Sequence, residues 1–168
     1  MAKDLLEHID FSSLECLNEA PNHGAALALK QGYREQDELY LESDTDEQLL
    51  LNIRFTQRVR LHSIVIKAID EAKAPKRVKL YTNRPSLGFS DTSSVPSAQE
   101  FELTPAQLAK GDPLPLKVVK FNQVDVLSVF IEDNQGGEET TKLCKIALFG
   151  TAGDTFNVAE IKKVGEEK

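Results

Sequence analysis

The sequence is poor in the residues that most chemistries require. Of its 168 residues, two are cysteine, one is methionine and none is tryptophan. Cys16 and Cys144 stand far apart and form no C-x-x-C pair, so their spacing supports neither a thiolate metal cage nor a redox motif. Three histidines are present, His8, His23 and His62, with no Gly-x-Ser-x-Gly elbow and no H-E-x-x-H around them. His62 falls mid-strand between Arg60 and Ile64 and reads as structural. A phosphate cradle is missing too: Gly136-Gly137 follows a strand but opens no helix. There is no Asn-x-Ser/Thr sequon, and the N-terminal stretch has no apolar run of signal or membrane length. With so little cysteine, these absences point to the reducing cytosol and nucleus.

Positive charge is also in deficit. Twenty Lys and Arg face 27 Asp and Glu, for a formal net charge of −7 and a pI of about 5.0. Nucleic acid and anionic membranes both reward a basic surface, so neither is expected as a partner. The basic residues that do exist gather between Arg54 and Lys79, with only Phe55 and Tyr81 near them to stack on bases. That region reads as a solvated face balancing acidic loops. Hydrophobic content of 40% and charged content of 28% are those of an ordinary globule. The length fits one domain, 1–168, which buries about 70% of its unfolded surface without staples.

What is present in abundance is strand pattern. Residues 126–151 read as strand, polar loop and strand. Leu127, Val129 and Ile131 share a face of the first strand; Cys144, Ile146 and Leu148 share one of the second, with Ala147 and Phe149 opposite. Ten polar or glycine residues, 132–141, separate them, and Gly136-Gly137 allow the turn expected of a hairpin. Upstream, Leu49, Leu51, Ile53 and Phe55 alternate with Leu50, Asn52 and Arg54, a half-buried strand. Thr56–Arg58 reads as a turn before a second strand, Val59–Lys67, whose run Ile64-Val65-Ile66 predicts cover on both faces. Lys76–Tyr81 is a short strand with Val78 and Leu80 inward, and Glu100–Leu103 an edge strand. Thr104-Pro105-Ala106-Gln107 is a capping box with proline at the first helical position, predicting a short helix to about Ala109. Val118–Phe121 reads as a strand. Residues 82–98, rich in serine and proline, read as a long surface loop with at most one helical turn, and the least ordered part. The first 35 residues look irregular and draped over the sheet, with a helical turn near Ala25–Lys30. The tail after about 152 has Phe156, Val158 and Ile161 to anchor it. Seven or eight short strands without βαβ alternation predict an all-β fold, an antiparallel sandwich of jelly-roll type.

Two acidic stretches stand out. Asp44, Asp46 and Glu47 precede the strand at 49, and Glu132, Asp133, Glu138 and Glu139 surround the two glycines. Clustered carboxylates suit calcium, but EF-hand spacing is absent and no metal is expected.

Four stretches together resemble the PITH domain: Cys16-Leu17-Asn18-Glu19, LESDTDEQLL at 41–50, VKFNQV at 119–124, and NQGGEETT at 134–141 followed by LFGT at 148–151. They span nearly the whole chain, in order. The resemblance implies a jelly-roll sandwich with the galactose-binding-like fold, similar to the substrate-recognition subunit of the anaphase-promoting complex. It also implies no enzymatic activity and no cofactor. In a thioredoxin-like relative the domain sits at the C-terminus and docks on the 26S proteasome. Here no thioredoxin segment precedes it, so the chain resembles the stand-alone form. The function expected is therefore a monomeric protein-interaction module of cytosol and nucleus, with the proteasome regulatory particle as partner. Its docking surface is expected to be Glu42, Asp44, Asp46 and Glu47 with Asn134, Gln135, Glu138 and Glu139. A carbohydrate-like small ligand at one end of the jelly roll is the alternative.

Overall fold

Nineteen consecutive residues of β conformation, Leu49–Lys67, organise the molecule. The turn expected at Thr56–Arg58 does not interrupt them, because that stretch holds no glycine, proline, asparagine or aspartate to break a strand. A straight strand of this length would span roughly 60 Å, whereas a domain of this size is only about 40 Å across. The strand therefore bends, at an irregularity between Arg54 and Val59 where its register with a neighbour shifts. The structure, a computed structural model, describes residues 2–152 except 31, 33, 35, 37 and 86. The tail anchors Phe156, Val158 and Ile161 lie outside the described residues.

Ten strands are present among the described residues. In chain order they are β1 (Lys3–Asp4), β2 (Glu15–Leu17), β3 (Leu41–Glu42), β4 (Leu49–Lys67), β5 (Arg77–Thr82), β6 (Gln99–Glu102), β7 (Leu114–Pro115), β8 (Val124–Ile131), β9 (Lys142–Leu143) and β10 (Lys145–Ala152). Two short helices, α1 (Ala26–Leu29) and α2 (Pro105–Lys110), accompany them. The bend lets β4 serve two layers. Its first half lies between β2 and β8, and β5 and β6 continue that layer outward. Its second half lies between β10 and β7, with β1 on the far side of β10. All of these ladders are antiparallel, and the fold is a β-sandwich of jelly-roll type.

This arrangement corrects the hairpin expected at 126–151. Its two strands, β8 and β10, do not pair with each other; each pairs with a different half of β4. The polar segment between them crosses from one layer to the other instead of closing a turn. The faces are as the alternation predicted for both strands, except that Cys144, expected beside Ile146 and Leu148, precedes β10 in a bend and is buried outside the main core cluster. Leu127, Val129 and Ile131 enter the core between the layers with Leu49, Leu51, Ile53, Ile146 and Leu148. Their opposite face is covered as well, by a second cluster of Leu50, Tyr81, Leu87 and Phe130 with Leu17, Phe89 and Val95 against it. Leu87, Phe89 and Val95 come from the segment expected to be a loose surface loop. It forms a cover held by Tyr81 Oη donating to the Thr92 carbonyl (3.0 Å) and Asn52 Nδ2 donating to that of Leu87 (3.2 Å).

In the second half of β4 the residues that enter the core between the layers run Val59, Leu61 and then Ile64, Ile66, while Val65 is buried on the other face. The period of two slips by one residue where β10 has its own irregularity, between Phe149 and Gly150. There Gly150 passes so close to the Arg60 carbonyl that any side chain at this position would overlap it. The helix α2 is capped as predicted: Thr104 Oγ1 accepts from Gln107 N (3.3 Å), Gln107 Oε1 accepts from Thr104 N (2.9 Å), and Gly111 closes it in the left-handed region at φ 69°. Val118–Phe121 is no strand. Val118–Lys120 is a 3-10 turn that sends Phe121 inward and leaves Val118 60% and Val119 80% exposed. The N-terminal segment is less irregular than expected, since β1 and β2 extend the layers and Ala28 and Leu29 of α1 are fully buried.

Candidate functional site

The two acidic stretches meet at one end of the sandwich. Strand β3 leads into the first and β9 leaves the second, and the two strands pair, Glu42 opposite Lys142. Beyond that ladder the loops are laced by buried polar groups. Ser43 N donates to the Thr141 carbonyl (3.0 Å), Thr141 N donates to Ser43 Oγ (2.9 Å), and Thr141 Oγ1 donates to the Glu47 carbonyl (2.7 Å). Ser43 and Thr141 are both buried, so these bonds are worth more than surface ones.

Asn134 is the hub of the second loop. Its Nδ2 donates to the carbonyls of Glu138 (3.0 Å) and Thr140 (3.1 Å) and to Thr141 Oγ1 (3.1 Å), while its Oδ1 accepts from Glu138 N (2.8 Å). Gln135 Nε2 donates to the carbonyls of Pro75 (2.9 Å) and Leu103 (2.7 Å). The expected pair of permissive glycines divides its work. Gly137 takes φ +67° and makes the turn. Gly136 is there for closeness: its N–H donates to the Ala72 carbonyl (2.8 Å), and a Cβ would stand 3.0 Å from both Ala72 Cβ and that oxygen. In the first loop the organiser is Asn18, itself at φ 72°. Its Oδ1 accepts from Thr45 N (3.0 Å), and its Nδ2 donates to the Gln48 carbonyl (2.7 Å) and Asp46 Oδ1 (2.9 Å).

The eight residues expected to form one surface are thus drawn into one region but do different things. Glu42, Asn134 and Gln135 spend their polar atoms inside the fold. Glu42 Oε2 accepts from Thr140 Oγ1 (2.7 Å) and Lys73 Nζ (3.4 Å). Burial alone would raise its carboxyl, but those bonds and the charges of Lys73 and Lys142 outweigh it and hold it below the usual carboxylate range. Asp44, Asp46, Glu138 and Glu139 are exposed and Glu47 half-buried, so these five carboxylates face the solvent side of the frame. Asn18, Ser43 and Thr141 are the residues sequence reasoning missed. All three lie inside the stretches on which the resemblance rests; polarity disguised the burial of Ser43 and Thr141, and Asn18 is half-buried.

Elsewhere the basic stretch is balanced by acids: Arg58 with Asp125 (3.3 Å), Lys73 with Glu42 (3.4 Å), Lys79 with Glu132 (3.5 Å) and Arg77 with Glu102 (3.7 Å). Among the described residues no three His, Cys, Asp or Glu side chains converge as a metal site, and no helix is long and apolar enough to cross a membrane. Cys144 is buried, in a bend between β9 and β10, and Cys16 is half-buried against the core; both are thiols. Burial, with the Glu19 and Glu15 carboxylates beside it, pushes the Cys16 thiol up, away from nucleophilic form. Next to the acidic end, His23 stacks on Tyr40 (centroids 4.3 Å apart) and Lys142 Nζ lies 4.1 Å over the same ring, so both faces of Tyr40 are taken.

Comparison with known proteins gives one consistent answer. The sequence profile of the PITH domain matches residues 1–166. Thioredoxin-like protein 1 of Schizosaccharomyces pombe is 38% identical over 160 residues, 93% of this chain and 54% of that protein. PITH domain-containing protein 1 of Homo sapiens is 36% identical over 152 residues, 89% of this chain and 70% of that protein. The chain thus spans about half the length of the first relative and about two thirds of the second. Among solved structures it is similar to the family 32 CBM from C. perfringens NanJ in complex with galactose, with a TM-score of 0.63 and 7% identity over 89% of this chain and 99% of that one. CBM32-3 from a family 31 glycoside hydrolase of Clostridium perfringens follows at a TM-score of 0.57 and 16% identity, over 86% and 96%. At such identities the likeness is one of fold, the galactose-binding-like jelly roll.

Proposed function

The chain belongs to the PITH domain family, and on that premise we propose that it is a non-catalytic protein-interaction module that docks on the regulatory particle of the 26S proteasome or a related complex. The proteasome enters through the family resemblance and through the thioredoxin-like relative. The face proposed to dock is the acidic end, with Asp44, Asp46, Glu47, Glu138 and Glu139 outermost. The observation that carries this reading is the contrast between frame and surface. Buried Ser43, Asn134 and Thr141 hold the two loops rigidly, while the carboxylates they position, Glu138 and Glu139 above all, make no ion pair among the described residues. Exposed carboxylates contribute little to folding, roughly 0–1 kcal/mol per pair. In association they speed encounter and select partners of opposite charge.

The test is the double substitution Glu138→Lys with Glu139→Lys, assayed for capture of purified 26S proteasome on immobilised protein. Capture should fall and the melting temperature should hold. Wild-type capture should also decline with salt, as the Debye length shrinks from about 10 Å at 0.1 M to about 3 Å at 1 M. Lost stability with normal capture would assign these residues to the fold. A carbohydrate-like ligand rests on fold likeness alone, and Tyr40, beside this end, is already covered by His23 and Lys142. A thermal-shift screen of sugars is therefore expected to be silent.

A further inference from the structure

Beside the acidic loops the chain leaves β4 and turns, and Ile69 stands out from that turn, 53% exposed. The turn is fixed at both ends. Ala68 is buried and its N–H donates to the Leu108 carbonyl (3.0 Å); Ala74 is buried and its carbonyl accepts from Gln135 N (2.9 Å). An isoleucine held out on a rigid turn cannot retreat into the core. Two open hollows meet at it. One, of about 460 Å³, is lined by Tyr40, Leu143 and Cys144 with Asp70 and Lys142 at its rim. The other, of about 500 Å³, lies against α2 and is lined by Ala68, Ala74, Pro105 and Ala106 with Glu71 at its rim. Both fall in the size range of sites that hold a ligand or an anchoring side chain, roughly 300–1,000 Å³.

The charge left over at these rims is negative. Lys142 is already matched, with Asp70 Oδ2 at 3.8 Å and the Tyr40 ring below it. Glu71 and Glu38, which also borders the first hollow, make no ion pair among the described residues. The turn and the acidic loop are one face, because Gly136 packs directly on Ala72. We infer that this trough is the apolar anchor of the docking face, and that its occupant is a protein segment carrying two apolar side chains, one for each hollow astride Ile69, with lysine or arginine beside them. The inference rests on the interaction reading above and adds what that reading lacks, since buried apolar anchors carry most of the energy of an interface and charges mainly its selectivity.

The test uses the full chain and two synthetic twelve-residue peptides, each with a pair of leucines, flanked by lysines in one and by glutamates in the other. Methyl NMR titration should move Ile69, Ala68, Ala74, Ala106 and Leu143 with the lysine peptide, and the glutamate peptide should bind at least tenfold more weakly. Ile69→Ser should cost the lysine peptide at least tenfold in affinity with an unchanged melting temperature, because the side chain it shortens is exposed. No shifts, indifference to the peptide's charge, or shifts confined to Val118 and Val119 would overturn the inference. Proteasome capture by the same Ile69→Ser protein keeps the two ideas apart. If the trough fails while Glu138→Lys with Glu139→Lys still weakens capture, the acidic face stands without this anchor; if neither change affects capture, the interaction reading falls as well.

Discussion

Gly150→Ala is the smallest change that should damage this fold most. Gly150 lies in β10 opposite Leu61, just past the irregularity that follows Phe149. A Cβ built there lands on the Arg60 carbonyl oxygen, with the carbonyl carbon at 2.9 Å and Leu61 Cα at 3.1 Å. All of these are backbone atoms, so no side chain can swing aside. The strands must part, and Gly150–Ala152 would leave its partners Leu61, Arg60 and Val59, loosening Lys3 opposite Gly150 as well. Losing two or three ladder bonds at roughly 0.5–1.5 kcal/mol each, with some packing, gives about 3 kcal/mol. For a domain of this size that lowers the melting temperature by about 6–12 °C. Two other glycines serve as internal controls. Gly137→Ala meets nothing within 4 Å but must hold φ +67°, which costs about 1 kcal/mol. Gly88→Ala has extended backbone and only Asp91 Oδ2 near, at 3.8 Å, so it should be neutral or slightly stabilising. Urea unfolding followed by circular dichroism ranks the three. A Gly150→Ala protein that unfolds at the wild-type midpoint, or Gly137→Ala outranking it, would refute the close approach of β10 to β4.

Three further outcomes are expected. Asn134→Ala should cost about 2–3 kcal/mol, since it strands the buried groups it now bonds, and hydrogen exchange should quicken at the Glu138 amide. Glu42 has a folded-state pKa below its unfolded value, so its stabilisation is complete above about pH 4.3 and fades as pH falls through the lower folded value; Glu42→Gln should flatten the stability–pH curve in that acid window and leave it parallel to wild type at pH 7. Thiol titration should find two thiols in urea and slow labelling of both in the native protein, because Cys144 is buried and the Cys16 thiol is pushed up; rapid native labelling of Cys144 would contradict its position.

Much of the fold is legible where local pattern decides it. The division of faces at 49–55, the inward Val78 and Leu80, and the capping box at Thr104 all behave as read, although Leu50 and Asn52, read as the open face of a half-buried strand, are buried under the 82–98 segment as well. Pairing is different, because a strand's partner is not written beside it. β8 and β10 are neighbours in sequence and looked like a hairpin, yet both prefer an edge of β4 some eighty residues earlier. The bend in β4 is likewise invisible locally, since Thr56–Arg58 carries no breaker and the irregularity arises from its neighbours. Val118-Val119 imitated a strand because two β-branched residues look alike in a core and on an exposed turn. The candidate site was legible as two acidic stretches but not as a frame. Asn134 and Gln135 looked like amides offered to a partner, whereas they tie the loop to Thr140, Pro75 and Leu103.

The shared strand also sets a timetable. Leu50 pairs with Phe130 and Ile66 with Ile146, so neither layer can close until the chain has continued eighty residues past the matching position in β4. Contacts this distant in sequence make folding slow. During synthesis at about 5–20 residues per second, each half of β4 would wait roughly 4–16 s for its partner in β8 or β10. Throughout that interval Leu49-Leu50-Leu51-Asn52-Ile53, a β-prone, uncharged segment of the kind that aggregates, has only β2 to pair with and leaves the edge meant for β8 open. It is bracketed by Asp44, Asp46 and Glu47 on one side and Arg54, Arg58 and Arg60 on the other. Charge at both ends of such a segment discourages its stacking on another copy. The acidic stretch before β4 would thus discourage aggregation of the nascent chain before any folded surface exists.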